Sequence, residues 1–414
     1  MLDFDSTYGE YLFQEFHIFL KENGTLEDTN DISAWSTEQR LSFLHEYIHY
    51  FQNIGTIFGL NLFYLVFDNN RRIRSTLGKD VKIPLPLKSS LYNPKYIIWG
   101  LTYGDNTEVK KVISYREESI EQIAGVVKAR CTNNADEEVE ITFGSHHIYE
   151  GMACLIHESI YPEAKGVLPC NPYYLALELA DLIVPGISTN KFTMVALLDC
   201  SLISTNPAFT FIKFLEKKKD EGYDCNSITF DEIYNDMWLL PHDYYLYVRN
   251  FLNRIDEIFK YCNSEDRARE WFQGIVKRSM NIRMEHPKIF VDLMQGGDII
   301  NNDTFMYLLK ELGTPIVKNG NKDYCFLRPR DIAFSKDDLI SFYAMQQINR
   351  VFYSKGRYSC LLIDYCEKKL SAYVDERCKT SPWMPPQRHR KCFFSDCWER
   401  FGLKDVNIIG REYK

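Results

Sequence analysis

The spacing of apolar positions along the chain predicts a mainly helical protein with a small β-sheet, an α+β fold. Helical periodicity predicts helices over 145–160, 173–183, 190–203, 207–219, 229–238, 243–262, 265–281 and 336–371. Strand-like alternation is rarer, and it predicts strands within 9–21, 109–116 and 137–143. These strands are consistent with one small sheet beside the helices.

A further helix is predicted to begin near the N-terminal end of the chain. Ser36 and Gln39 have the spacing of a capping box, and Glu38 adds negative charge near the positive end of the helix. Apolar residues then follow without a proline until Gly55, where the helix can end. The segment 45–49 therefore lies in the middle of a rigid helix with apolar neighbours.

This segment reads HEYIH, the HExxH pattern of zinc enzymes. Residues i and i+4 of a helix lie one turn apart on the same face, so His45 and His49 can bind one Zn²⁺ ion. Glu46 lies about 100° round the helix and leans toward the open coordination position. The alternative interpretation is a helix that carries two hydrogen-bonded core histidines.

The residues after His49 exclude one branch of zinc peptidases. A metzincin would have glycine three residues further on and a third histidine six residues further on, where this chain has Gln52 and Gly55. The third ligand must therefore come from another segment. We expect it in GSHHIYEGMA, residues 144–153, where a helix capped by Ser145 would follow a strand.

HEYIH and YEGMA together resemble the gluzincin branch of the zincin metallopeptidases, in which a second helix adds a glutamate to two histidine ligands. The resemblance implies His45, His49 and Glu150 as zinc ligands and Glu46 as the general base. It also implies a zincin-like zinc-binding module. About a hundred residues separate His49 from Glu150, a longer interval than compact members of the family have.

Two histidines compete with Glu150 for the third position. His146 precedes Glu150 by four residues and His157 follows it by seven, so all three fall near one helix face. Glu150 is preferred because Gly151 and Ala153 beside it would let the two helices pack closely. A short carboxylate needs that close approach.

The ligand set predicts a zinc-dependent metallopeptidase that hydrolyses a peptide or protein substrate. Zinc-bound water would attack the peptide bond, while Glu46 takes its proton and passes it to the leaving amine. His242 and His146 are candidates to stabilise the developing oxyanion. Asp199 and Asp181 are candidates to hydrogen-bond a zinc-bound histidine, although pairing with arginine or capping a helix is the commoner role of such carboxylates.

Composition narrows the class of protein. Hydrophobic residues at 45% and charged residues at 26% are typical of globular proteins, and a net charge of −8 argues against a generally basic nucleic-acid binder. The longest apolar run, 57–67, is too short to span a membrane. Twelve cysteines at irregular intervals, without a secretory leader, predict reduced thiols and a cytoplasmic location.

The C-terminal part offers a second metal site and other functions. We predict a division near residue 220, with the zinc-binding module in 1–220 and a mainly helical region in 221–414. Cys378, His389, Cys392 and Cys397 could form a structural zinc centre in a segment that is also basic and aromatic. The alternatives to a peptidase are an inactive zincin-like scaffold that binds a protein, and a nucleic-acid-binding or regulatory protein that uses this basic segment.

Overall fold

The structure is a computed structural model, and it describes residues 9–13, 16–22, 26, 32–76, 82–84, 107–120, 122–164, 168–238, 241–261, 266–332, 336–353, 359–370, 374–383, 392–404 and 407–409. Helices dominate these residues, which confirms the mainly α fold with a small β component.

The α-helices are Thr37–Gly55 (α1), Ile57–Thr76 (α2), Ser145–Ile160 (α3), Cys170–Tyr173 (α4), Leu175–Ile183 (α5), Lys191–Ser201 (α6), Pro207–Asp220 (α7), Phe230–Met237 (α8), Pro241–Tyr261 (α9), Asp266–Glu285 (α10), Ile289–Leu293 (α11), Asp303–Leu312 (α12), Lys336–Tyr353 (α13), Ile363–Leu370 (α14), Glu376–Thr380 (α15) and Phe393–Arg400 (α16). Short 3₁₀ helices span Pro162–Ala164, Ile187–Thr189 and Ile299–Asn301. The strands are Gly9–Leu12 (β1), His17–Leu20 (β2), Lys82–Pro84 (β3), Lys111–Ile120 (β4), Ile123–Thr132 (β5), Glu138–Phe143 (β6), Ile316–Asn319 (β7), Tyr324–Cys325 (β8) and Asn407–Ile409 (β9).

The strands form separate sheets rather than the single sheet that the sequence predicted. In the first sheet, of order β1-β2-β7-β8, β2 runs parallel to β7 and the outer pairs are antiparallel. The second is an antiparallel meander, β4-β5-β6, and β3 pairs with β9. The first sheet joins residues from both sides of the predicted division near residue 220, and that division stays a prediction.

Most predicted helices form within a few residues of their expected bounds, and α3 matches the prediction 145–160. The prediction of one helix over 336–371 is wrong, because that stretch contains two helices, α13 and α14. Gly356 occurs in the sequence between them, and glycine costs a helix interior about 1 kcal/mol relative to alanine.

Helix α1 lies in the middle of the core. Every residue from Leu41 to Gly55 is buried, and α1 packs against α2, α3, α10 and strand β1. A helix buried on all sides would ordinarily be apolar, because a buried polar side chain costs free energy unless it has a partner. The polar residues that α1 carries in its middle therefore need an explanation from their surroundings.

Candidate metal centre

The N-terminal cap of α1 is as the sequence predicted. The backbone N–H of Gln39 donates to Ser36 Oγ at 3.2 Å, and the backbone N–H of Ser36 donates to Gln39 Oε1 at 3.0 Å. This reciprocal pair fixes where the helix starts. His45 and His49 consequently lie more than two turns inside α1, on the side that faces α3.

The cap of α3 differs from the prediction by one residue, although the helix has its predicted bounds. Gly144 is the N-cap and Ser145 is already helical, so the predicted serine cap is wrong. The reason is His147, whose ring Nδ1 accepts the backbone N–H of Gly144 at 3.1 Å. This contact satisfies a donor at the helix start, and Glu150 still lies about one and a half turns inside α3.

Three side-chain atoms from α1 and α3 form a nearly equilateral triangle. The Nε2 atoms of His45 and His49 lie 3.2 Å apart, and each lies 3.3 Å from Oε2 of Glu150. Ligands placed tetrahedrally at 2.0–2.1 Å around zinc are separated by about 3.3–3.4 Å. The triangle therefore has the size that one zinc ion requires.

The donor set also fits a metal better than a hydrogen-bonded cluster. Each edge of the triangle is longer than the usual charge-assisted hydrogen bond of about 2.7–2.9 Å. Two imidazole nitrogens and one carboxylate oxygen are a ligand set that catalytic zinc sites use, with the fourth position left open. The Glu150 side chain is 15% exposed, so the site is not completely closed to solvent.

Burial and neighbouring charges together set the pKa values of the residues in this site. Burial lowers the pKa of His45. Burial alone would also lower the pKa of His49, but the carboxylates of Glu150 and Glu46 raise it to about 9. Burial opposes ionisation of Glu150, yet His49, His45 and His146 hold its pKa well below the ordinary value. Without a metal, a proton on His49 thus supplies the positive charge that a cation would otherwise supply.

Glu46 lies beside the triangle without belonging to it. Its side chain is buried, and burial raises its pKa to about 8, while the backbone N–H of Tyr11 in β1 donates to the carboxylate. Strand β1 passes so close that a Cβ atom on Gly9 would lie 3.0 Å from Glu46 Cγ and 2.8 Å from the carbonyl oxygen of Phe19. Glycine at position 9 therefore permits the strand to cover the carboxylate.

Gln52 is a site residue that sequence reasoning missed. Its Oε1 lies 2.8 Å from Nδ1 of His49, and its Nε2 donates to the backbone carbonyl of Tyr149 at 3.1 Å. One amide thus joins a candidate ligand on α1 to the residue before Glu150 on α3. The signal was present in the i, i+3 spacing of His49 and Gln52, which places both on one helix face.

The other histidines that the sequence singled out do not belong to the triangle. His146 Nδ1 is 3.8 Å from Glu150 Oε1, on the other oxygen of that carboxylate. His157 is buried with its ring centroid 5.8 Å from that of His45, and burial lowers its pKa to about 3. His242, which the sequence offered as a candidate to stabilise the oxyanion, lies exposed on α9. Within the described residues, only His45, His49 and Glu150 bring three potential ligand atoms within 4.8 Å of one another.

The two aspartates that the sequence offered as partners of a zinc ligand have other roles. Asp199 accepts hydrogen bonds from Arg283 at 2.7 and 2.8 Å and from Tyr234 at 2.7 Å. Asp181 accepts the backbone N–H and the hydroxyl of Ser188. Neither aspartate is therefore a partner of a candidate ligand, and the commoner roles that the sequence favoured, an arginine pair and a local cap, are confirmed.

The C-terminal segment was only a possible second zinc centre, and its described candidate ligands, Cys378, Cys392 and Cys397, do not bring three ligand atoms together. Cys397 is buried against α13, where its thiol donates to the carbonyl oxygen of Ser341 at 3.4 Å. The sulfur of Cys392 accepts the backbone N–H of Ser395 at the start of α16. His389 and the basic residues 388–391 lie outside the described residues.

Comparison with known proteins adds no assignment. No protein-family model matches the chain, and neither a curated protein nor a solved structure shows significant similarity to it. Among the described residues, no helix combines the length and the apolar character that crossing a membrane requires. The interpretation of the site therefore rests on its geometry and on the two short sequence segments that resemble gluzincins.

Proposed function

We propose that this protein is a zinc-dependent metallopeptidase that hydrolyses peptide bonds in a peptide or protein substrate. The observation that carries the proposal is the triangle of His45, His49 and Glu150, with edges of 3.2–3.3 Å, beside the buried carboxylate of Glu46. Two histidines, a third carboxylate ligand and a separate glutamate are the parts that a zincin site contains.

Each residue has a distinct role in this proposal. His45, His49 and Glu150 would hold the zinc ion, which when bound supplies a Lewis acid for the substrate carbonyl and lowers the pKa of water. Glu46 takes a proton from the attacking water and gives it to the leaving amine. The backbone N–H of Tyr11 orients the Glu46 carboxylate, and burial among apolar side chains keeps other water away from it.

Glu46 favours a catalyst over an inactive scaffold. A scaffold needs a metal or a binding surface, but it has no need of a buried carboxylate beside the metal, which costs free energy to maintain. Burial raises the pKa of Glu46 to about 8 in the metal-free site, and a zinc ion bound beside it would favour the ionised carboxylate, the form that a general base needs. We also propose a cytoplasmic location, because the described cysteines are free thiols.

The test is Glu46→Gln, a nearly isosteric change that removes the base. The full-length variant should keep its zinc and its melting temperature, while cleavage of a substrate found by peptide-library screening falls by roughly 10²-fold or more. Glu38→Gln is the matched control, because Glu38 lies exposed in the first turn of the same helix. If Glu46→Gln keeps its zinc and cleaves as fast as the wild type, the proposed mechanism is wrong.

A further inference from the structure

Gln52 is a polar side chain in a place where polarity is costly. It is 0% exposed, on the helix that is buried on all sides from Leu41 to Gly55. A buried amide without partners costs about 1–3 kcal/mol. Gln52 has two partners, the ring of His49 and the backbone carbonyl of Tyr149, so its amide connects α1 to α3.

The carbonyl partner determines which way the amide points. A backbone carbonyl can only accept, so the NH₂ group of Gln52 must face Tyr149. Oε1 is then the atom that faces the His49 ring, and an amide oxygen can only accept a hydrogen bond. The His49 ring must therefore carry its proton on Nδ1, the nitrogen nearest to Gln52.

That proton position determines what the other ring nitrogen can do. A neutral imidazole protonated on Nδ1 has its lone pair on Nε2, and Nε2 of His49 is the atom in the triangle with His45 and Glu150. We infer that Gln52 is a positioning residue for the proposed zinc site, which holds His49 in the metal-binding tautomer and aligns α1 with α3. This inference rests on the proposed zinc site, and it adds a residue that is not itself a ligand.

The structure offers a matched pair of variants. Gln52→Met keeps the length of the side chain but removes its acceptor and donor. Asn53→Leu removes a neighbouring buried amide, whose Nδ2 donates only to the backbone carbonyl of His49 at 3.0 Å and does not touch the ring. Loss of a partner behind a metal ligand typically weakens metal binding by about 10–100-fold.

Zinc dissociation constants, measured on full-length proteins by competition with a chelator, test the inference. Gln52→Met should bind zinc about 10–100-fold more weakly than the wild type, and Asn53→Leu should bind like the wild type. Gln52→Glu, which keeps an oxygen facing the His49 ring, should recover most of the affinity. Equal zinc affinity of Gln52→Met and the wild type would overturn the inference and leave the zinc site standing, whereas a wild type without zinc would overturn both.

A second measurement needs no variant and therefore does not depend on whether one folds. In the zinc-loaded wild type, the Nδ1 proton of His49 should give a slowly exchanging ring N–H signal in nitrogen-15 NMR spectra, because it is buried and donates to Gln52. A ring signal that exchanges rapidly with water would contradict the proposed hydrogen bond.

Discussion

Two clusters of charged side chains are buried in the same core, and their charges are neutralised in different ways. Asp199 and Arg283 are both fully buried, and the guanidinium lies 2.7 and 2.8 Å from the two carboxylate oxygens. Tyr234 donates a further hydrogen bond to Asp199, and the Arg283 guanidinium carbon lies 4.4 Å from the centre of the Trp238 ring. This cluster pairs one carboxylate with one guanidinium, so its charges balance, although burial raises the pKa of Asp199.

The second cluster, formed by His45, Glu46, His49 and Glu150, contains no permanent cation. Its net charge approaches zero only because Glu46 stays protonated below its pKa of about 8 and His49 stays protonated below its pKa of about 9. A divalent cation between His45, His49 and Glu150 would displace those protons and supply the positive charge in their place. Burial of charge alone therefore does not indicate a metal site, because the Asp199–Arg283 pair is buried and neutralises itself. Burial of carboxylates without a permanent cation leaves a place for a metal ion, and the zinc site that we propose uses that place.

The largest effect should come from breaking the self-balanced cluster. Arg283→Met leaves the Asp199 carboxylate buried without its cation, and such a loss typically costs about 3–5 kcal/mol of the free energy of unfolding. Denaturant unfolding of the full-length protein measures the cost. Zinc content should remain that of the wild type, because neither residue contacts the triangle.

The double variant Asp199→Leu, Arg283→Met distinguishes the cost of lost side-chain packing from the cost of a buried, unpaired carboxylate. Because it removes both charges, most of the free energy of unfolding should return. If the double variant is less stable than Arg283→Met, the two charges do more than neutralise each other, and our account of this pair is wrong.

Breaking the second cluster should change metal binding more than stability. Glu150→Gln removes the carboxylate charge from the triangle, and we expect zinc affinity to fall by more than the about 100-fold that loss of an outer partner costs. Glu158→Gln is a suitable control, because Glu158 is a buried glutamate two turns further along α3 that pairs with Lys191. Equal zinc loss in both variants would show that the helix, rather than the Glu150 carboxylate, is responsible.

The two clusters should also differ in their response to pH. In the metal-free site the pKa of His49 is raised to about 9, so zinc must displace a proton from this ring at lower pH. Zinc affinity should therefore rise by about tenfold per pH unit between about pH 8 and pH 9 and then level off. Below about pH 8 it should rise more steeply, because zinc then also displaces the proton of Glu46, while Arg283 stays charged throughout. Chelator competition at several pH values measures the slope. A zinc affinity that does not change with pH would exclude His49 as a ligand.

The smallest effect should come from weakening the N-terminal cap of α1, the helix that carries most of the second cluster. Ser36→Ala removes the hydroxyl that accepts the Gln39 N–H at the start of α1, and loss of a cap typically costs about 1 kcal/mol. Thermal unfolding with and without zinc measures it. We expect zinc stoichiometry to stay unchanged, since the histidines lie more than two turns further along; a loss of zinc would show that the cap positions the ligands.

The parts of the site that sequence could predict are those encoded locally. The i, i+4 spacing of His45 and His49 and the cap at Ser36 depend on residues within one helix, and the structure has them as expected. The apposition of Glu150 needs two helices about a hundred residues apart, and it came from the resemblance to gluzincins rather than from periodicity. The partner of Asp199 could not be predicted, because nothing near Asp199 in sequence indicates Arg283, 84 residues further along the chain.

The fold shows the same limit for strands. The sequence predicted β1, β2, β4 and β6 but assigned them to one sheet, because alternation gives the faces of a strand and not its partner. Strand β5 escaped prediction although it is the central strand of the meander. Pairing of β2 with β7 joins segments almost three hundred residues apart, and no local pattern encodes it.

Zinc-edge X-ray absorption of the full-length protein loaded with one equivalent of zinc tests the central claim most directly. We predict a first shell of nitrogen and oxygen at about 2.0–2.2 Å, with the multiple scattering of two imidazole rings, and loss of that signal in His49→Ala. A first shell that contains sulfur at about 2.3 Å would place the metal on cysteines instead. That result, or an unchanged spectrum in His49→Ala, would contradict the assignment of His45, His49 and Glu150 as the zinc site.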